Sequence, residues 1–147
     1  GTTFQDNMDL SLFYDQESRK FSEHGYIGLY KDKSIRAIGK LKKTIIAVEV
    51  EGKMTYRAES GEAPTPDEIC RINEAIRRAE DYGYNLRTIS HRYFMVEKFY
   101  PIDFRKSSKN PIQKSKFFNL ADMFGYKTMP DTEKIAADLN GRTWEEF

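Results

Sequence analysis

Two kinds of side chain in this sequence could bind a ligand: aromatic rings and cations. Flat rings can stack on nucleobases, and lysine and arginine can neutralise phosphates. The candidate stacking residues are Tyr14, Tyr26, Tyr30, Tyr93 and Phe99. The candidate backbone-binding residues are Arg36, Lys40, Lys42, Lys43, Arg92, Arg105, Lys106 and Lys109. Together they favour nucleic-acid or modified-base binding through an aromatic pocket flanked by basic segments. The competing interpretation is that most of these rings fill the core.

The cations are concentrated in two segments, although the net charge of the chain is only +1. Residues 31–43 contain six Lys or Arg and one acid, and residues 87–127 contain nine and three. If the two segments pair in space, they form one basic surface that attracts a polyanion. If they do not, they are two separate solvated faces.

A second chemistry is suggested by Asp32 together with the sequence Glu51-Gly52-Lys53. Nucleases of the PD-(D/E)XK type place one acid on a strand and Glu-x-Lys on the next, where two carboxylates hold a magnesium ion. Glu51-Gly52-Lys53 also has the composition of a hairpin turn between two strands, and so does Lys31-Asp32-Lys33-Ser34. The turn is the favoured interpretation of Glu51-Gly52-Lys53, because the leading helix of the nuclease fold is missing upstream.

Other chemistries lack their sequence signatures. Cys70 is the single cysteine, so disulfides and cysteine-based zinc sites are not expected. His24 and His91 lack metal-ligand spacing, and the chain contains neither a nucleophile elbow nor a phosphate-binding glycine loop. We therefore expect no catalytic residues, no metal and no cofactor. The absence of a long apolar segment and of a leader pattern favours a cytoplasmic location without a membrane partner.

The hydrophobic patterns predict a chain of short strands and one main helix. Thr65-Pro66-Asp67-Glu68 is a capping box with proline at the first helical position, and it predicts a helix that ends near Tyr82. A last short helix is expected from Pro130 to Leu139. The predicted strands cover Met8–Tyr14, Tyr26–Tyr30, Ile35–Leu41, Thr44–Val50, Met54–Ala58, Arg92–Tyr100 and Phe117–Leu120.

This order predicts an α+β fold that is mostly β. Gly28 and Gly39 lie inside neighbouring strands, and such glycines allow a sheet to bend strongly. We expect a curled antiparallel sheet or a small β-barrel, with one main packed helix and a short C-terminal helix. Residues 1–125 should form the domain and residues 126–147 an appendage, in which Trp144 and Phe147 could attach the tail to the core.

Two stretches resemble the PUA-like superfamily, in particular its EVE and ASCH branches. They are YIGLYKDKSIRAIGKL and RYFMVEKFYPIDF, followed by FFNL, and the resemblance covers residues 8–120. It implies a small β-barrel that binds RNA, or modified bases in RNA or DNA, in an aromatic pocket beside a basic surface. The related YTH branch uses a tryptophan cage, whereas Trp144 lies outside the matched region.

A third interpretation is a protein-interaction or sensor domain without a nucleic-acid role. The chain begins with Gly1 rather than methionine, so we expect a domain excised from a longer protein. Its partners would then be other domains of that protein. The acidic N-terminal segment and the tail helix are consistent with docking onto such partners.

Overall fold

A computed structural model describes residues 3–18, 25–107 and 118–147. In those residues the fold is α+β and mostly strand, as the sequence predicts. The elements are α1 (Phe4–Leu10), β1 (Leu12–Gln16), β2 (Tyr26–Lys31), β3 (Ser34–Val50), β4 (Lys53–Ala58), α2 (Pro66–Asp81), β5 (His91–Arg105), α3 (Leu120–Phe124), α4 (Thr132–Leu139) and a 3₁₀ turn (Trp144–Glu146). The strands form one open sheet in the order β1-β5-β3-β2, and β4 also pairs with β3.

Two tight turns define the central hairpins. Asp32 and Lys33 join β2 to β3 with φ of 52° and 60°, and Glu51 and Gly52 join β3 to β4 with φ of 52° and 80°. Positive φ at both central residues is the geometry whose twist matches antiparallel strands. The predicted turns are confirmed, but Ile35–Leu41 and Thr44–Val50 are not two strands. They belong to β3, which continues through the basic residues between them.

The main helix begins where the sequence predicts. The Thr65 hydroxyl accepts a hydrogen bond from the Glu68 backbone N–H at 3.2 Å, and the Glu68 carboxylate accepts one from the Thr65 N–H at 2.8 Å. This reciprocal capping box satisfies two N–H groups that have no partner within the helix. The helix ends at Asp81, one residue before the predicted end.

The first predicted strand is wrong in its N-terminal half. Residues 4–10 form α1, and the strand starts only at Leu12. Ser11 adopts φ 53°, which ends the helix and redirects the chain. The guanidinium of Arg71 donates to the carbonyls of Leu10 and Ser11 at 3.1 Å each, so the exposed helix end has a partner.

The C-terminal third differs from the prediction on both sides of residues 105–116. The strand predicted to stop at Tyr100 continues through Pro101 to Arg105. The strand predicted at Phe117–Leu120 is replaced by a helix start, because the Asn119 side chain accepts from the Asp122 N–H at 3.1 Å and caps α3. Phe117 itself and residues 108–116 lie outside the described residues.

The chain divides into two compact units. The first contains Gly1–Ile27 and Gly39–Phe99, and the second contains Gly28–Ile38 and Tyr100–Phe147. Residues 126–147 therefore share a unit with other parts of the chain. Within the first unit, α2 packs on one face of the sheet. The core there consists of Leu10, Leu12, Ile45, Ala47, Ile72, Ala75, Ile76, Ala79, Leu86, Tyr93 and Met95.

The second unit has an aromatic core centred on Trp144. The indole ring contacts those of Tyr30 and Phe118 at centroid distances of 5.9 and 5.2 Å. Its Nε1–H donates to the Phe104 carbonyl at 2.8 Å. Only 9% of Trp144 is exposed. Trp144 therefore attaches the end of the chain to β2, to β5 and to the residues before α3.

Candidate nucleic-acid interface

Two of the candidate stacking residues of the first unit lie in its interior. Tyr93 and Phe99 are buried. Their rings therefore offer no open face to a base, which matches the core interpretation of the sequence. Tyr14 is half-buried and tilts against Tyr93 with 5.7 Å between ring centroids. Burial, with a smaller contribution from Asp6, raises the pKa of Tyr14 to about 12.

Gly39 is required by the position of Phe99. A Cβ atom at residue 39 would come within 2.9 Å of both the Lys98 carbonyl oxygen and the Phe99 ring. Those contacts are too short for any side chain to be added without moving the neighbouring strand. Gly39, which the sequence suggested as a bend in the sheet, is thus a point of close approach between β3 and β5.

The hydroxyl of Tyr93 is buried and has no hydrogen-bond partner in the described part of the chain. Such a group loses its hydration without compensation, which costs about 1–3 kcal/mol. We expect Tyr93→Phe to raise the free energy of unfolding by about 1–2 kcal/mol in urea denaturation. A matched Tyr126→Phe variant should lower it, because the Tyr126 hydroxyl bonds to the Asp138 carboxylate. A loss of stability in Tyr93→Phe would show that the hydroxyl is bonded to an internal water.

Tyr26 is, like Tyr14, a half-buried candidate ring of the first unit. A hydrogen bond from the Leu41 N–H to the Gly25 carbonyl, 2.9 Å long, holds the start of β2 beside the 40–42 segment of β3. Burial, and secondarily the nearby Glu97 carboxylate, raises the pKa of the Tyr26 hydroxyl. The hydroxyl is therefore protonated at neutral pH.

Two of the candidate cations in the first unit are neutralised by acids. The Lys43 ammonium lies 2.9 Å from the Glu68 carboxylate, with 15% and 9% of the two side chains exposed. Burial disfavours ionisation of Glu68, but hydrogen bonds from Thr65 and Lys43 outweigh it and lower the carboxyl pKa. Lys43 is therefore bound to the helix start and is not available to a phosphate.

Arg92 is the second neutralised cation. Its guanidinium donates two hydrogen bonds to Glu59, at 2.6 and 3.1 Å. This bidentate bond raises the pKa of Arg92 and lowers that of Glu59. Neither acid partner could be assigned from sequence spacing, although the role of Glu68 in the capping box marked that residue as fixed in place.

Lys40 and Lys42 differ from these two cations. They occupy alternate positions of β3, so their side chains lie on the same face. That face is the one turned away from α2, because Ile45 and Ala47 point into the helix-side core. Both lysines are exposed, and no ion pair links either to an acid in the described residues.

Two candidate cations of the second unit, Arg36 and Arg105, lie at the carboxylate of Asp103. The Arg36 guanidinium lies 3.3 Å from the Asp103 carboxylate and also donates to the carbonyls of Lys31 and Asp32. It therefore fastens the β2–β3 turn. Arg105 lies 3.4 Å from the same carboxylate. The hydroxyl of Ser34, 2.6 Å from Asp103, is the main cause of the lowered Asp103 pKa.

The remaining candidates are Tyr30, Lys106 and Lys109. Tyr30 is 40% exposed and leans on Trp144, a residue that the sequence reasoning left out of the site. The backbone N–H of Lys106 donates to the Lys33 carbonyl at 2.8 Å. Lys109 lies outside the described residues.

The acids of the nuclease interpretation lie in two different turns. Asp32 precedes β3 and Glu51 follows it, so the whole strand separates them along the chain. Among the described residues there is no cluster of three metal-ligating side chains. The geometry thus gives this interpretation no support, and Glu51-Gly52 forms the turn that the sequence favoured.

Comparisons with known proteins add no family assignment. No protein-family model matches the chain, and neither the curated proteins nor the solved structures contain a match. In the described residues, no helix has the length and hydropathy needed to cross a membrane.

Proposed function

We propose that the first unit is a non-catalytic nucleic-acid-binding module that contacts the phosphate backbone through Lys40 and Lys42. The supporting observation is that both side chains are exposed on one face and pair with no acid of the described residues, whereas Lys43 and Arg92 are each paired with a glutamate.

Tyr26 supplies the aromatic component of this proposal. An extended sheet surface suits single-stranded nucleic acid, whose bases can turn towards a ring while the phosphates meet lysines. A modified base would be distinguished from a plain one at the same ring, because stacking and contacts to the base edge depend on the chemical groups of the base. The EVE and ASCH resemblance supports this ligand class as well.

The experiment compares binding of short fluorescent RNA and DNA oligonucleotides to the intact chain and to Lys40→Glu/Lys42→Glu. We expect affinity to fall steeply with salt and the logarithmic salt slope to decrease by about 1.4 in the variant, about 0.7 per lost single-strand contact. The variant should bind at least about tenfold more weakly at low salt.

The matched control carries the same change in net charge elsewhere. Lys53→Glu/Lys127→Glu reverses two exposed lysines, and Lys53 pairs opposite Val50, about 30 Å along β3 from Lys40 at the usual strand rise. It should bind nearly as well as the unmodified chain. Equal weakening in both variants would indicate net charge alone, and no low-salt binding of any oligonucleotide, plain or modified, would disprove the proposal.

A further inference from the structure

The strand β4 pairs with β3 on one side, and its other side is a free edge in the described residues. The Glu59 N–H donates to the Thr44 carbonyl at 3.1 Å, which extends the antiparallel register in which Arg57 lies opposite Ile46. In such a ladder, alternate residues bond to the partner strand. Lys53, Thr55 and Arg57 therefore bond to β3, and the backbone groups of the intervening residues point away from it.

Those outward groups are the N–H and C=O of Met54, Tyr56 and Ala58. β4 pairs with β3 as its sheet neighbour, and no backbone bond to these three residues on the outer side occurs in the described ranges. At the opposite edge of the sheet, by contrast, the Asp15 carboxylate already accepts from the Gln16 N–H at 2.9 Å. An exposed row of unpaired backbone groups can accept a further strand.

The side chains of β4 define what such a strand should carry. Lys53, Thr55 and Arg57 are exposed on the face away from α2, and 66% of the Arg57 side chain is accessible. The Arg57 guanidinium lies 3.8 Å from the Glu17 carboxylate, and its charge also helps to lower the pKa of Glu59. On the other face, Met54 and Tyr56 pack against the helix-side core. The edge thus offers two cations four residues apart on one face and apolar surface on the other.

We propose that the β4 edge binds an extended peptide segment that has acidic residues four positions apart and apolar residues between them. The acids would lie opposite Lys53 and Arg57, and the apolar side chains would lie beside Met54 and Tyr56. A second copy of β4 would meet a charge penalty in one of its antiparallel registers. In an antiparallel pair centred on Thr55, Lys53 would face Arg57 of the other copy, and like charges directly opposite destabilise a sheet.

The probe is a capped synthetic peptide of sequence TEVTVET, which reads the same in both directions. Titration of the labelled intact chain, followed by backbone NMR, should shift the amide signals of Met54, Tyr56 and Ala58. The charge-swapped peptide TKVTVKT should bind at least about tenfold more weakly. In Lys53→Glu/Arg57→Glu the preference between the two peptides should be reversed.

Two controls separate strand addition from charge attraction. A TEVTVET peptide N-methylated at all its interior residues keeps its side chains but loses the donors that would bond to β4 in either chain direction, and it should not bind. Ala58→Pro removes one outward N–H without touching the β3 ladder, and it should weaken binding about fivefold while Ala58→Val does not. Circular dichroism checks that both variants fold.

Each contrary result overturns the proposal. Equal binding of the N-methylated peptide would reduce the contact to charge alone, and equal binding of TKVTVKT would remove the acidic requirement. The absence of amide shifts with millimolar TEVTVET would exclude the edge as a peptide site. Self-association in sedimentation that Ala58→Pro abolishes would show that a second copy occupies the edge.

Discussion

Lys43→Glu should lower the free energy of unfolding by about 3–5 kcal/mol, whereas Lys42→Glu should change it by less than about 0.5 kcal/mol. The two lysines are neighbours in sequence and make the same change in net charge. They differ in the face of β3 on which they lie. Lys43 is held 2.9 Å from the largely buried Glu68 carboxylate, and Lys42 is exposed.

The loss of stability expected for Lys43→Glu has two causes. The substitution leaves Glu68 without its cation, and it places a second carboxylate next to the first in a poorly hydrated site. Glu68 also completes the capping box of α2, so its displacement would loosen the helix start. Urea denaturation followed by circular dichroism measures both variants against the unmodified chain.

A stability of Lys43→Glu close to that of Lys42→Glu would contradict this account of the ion pair. If the predicted loss is found, charge reversal at Lys43 cannot be used to test nucleic-acid binding, because an unfolded unit loses every function. The same reasoning applies to Arg92, whose two hydrogen bonds hold Glu59. Binding experiments should therefore use Lys40 and Lys42.

Trp144→Ala should destabilise the second unit by about 3–5 kcal/mol, the usual cost of removing a large buried aromatic side chain. The substitution removes the ring contacts to Tyr30 and Phe118 and leaves the Phe104 carbonyl without its indole donor. Hydrogen exchange measured by mass spectrometry should show faster exchange in residues 28–38 and 100–107.

Trp144→Phe is the matched control, since it keeps an aromatic ring but loses the hydrogen bond and part of the volume. It should lose roughly half as much stability as the alanine variant. A chain truncated after residue 125 should show the same loss of protection as Trp144→Ala. Unchanged exchange in residues 28–38 after truncation would instead support the predicted division into residues 1–125 and a separate tail.

The sequence was sufficient where a local pattern determines the structure. The capping box at Thr65 determines the start of α2 because all of its partners lie within four residues. The turns at Asp32-Lys33 and Glu51-Gly52 depend on two residues each. The α+β class follows from the sum of such local patterns, and the structure confirms it.

The errors arose where distant residues decide the outcome. The alternation of Met8, Leu10 and Leu12 fits a strand, but Arg71 of α2 binds the carbonyls at the end of a helix there. The two strands predicted on either side of Lys42 and Lys43 are one strand, and within it Lys43 is paired with Glu68 of the distant helix α2. No short window of sequence contains these pairs.

The candidate site was predictable in residue type but not in accessibility. Tyr93 and Tyr26 both lie in strands with aromatic neighbours, yet one is buried and the other is partly exposed. Which face of a strand packs against α2 depends on register, and register depends on the whole sheet. Trp144 lies outside the region that resembles the PUA-like families, so the resemblance does not include it in the site.

The placement of the single indole has an optical consequence. Six of the nine tyrosines lie in the first unit, whereas Trp144 lies in the second. Intrinsic fluorescence excited selectively at the indole therefore reports on the second unit alone, and most of the phenol emission comes from the first. An unlabelled chain thus contains two separate reporters, so one titration with denaturant shows whether the units unfold in one step or in two.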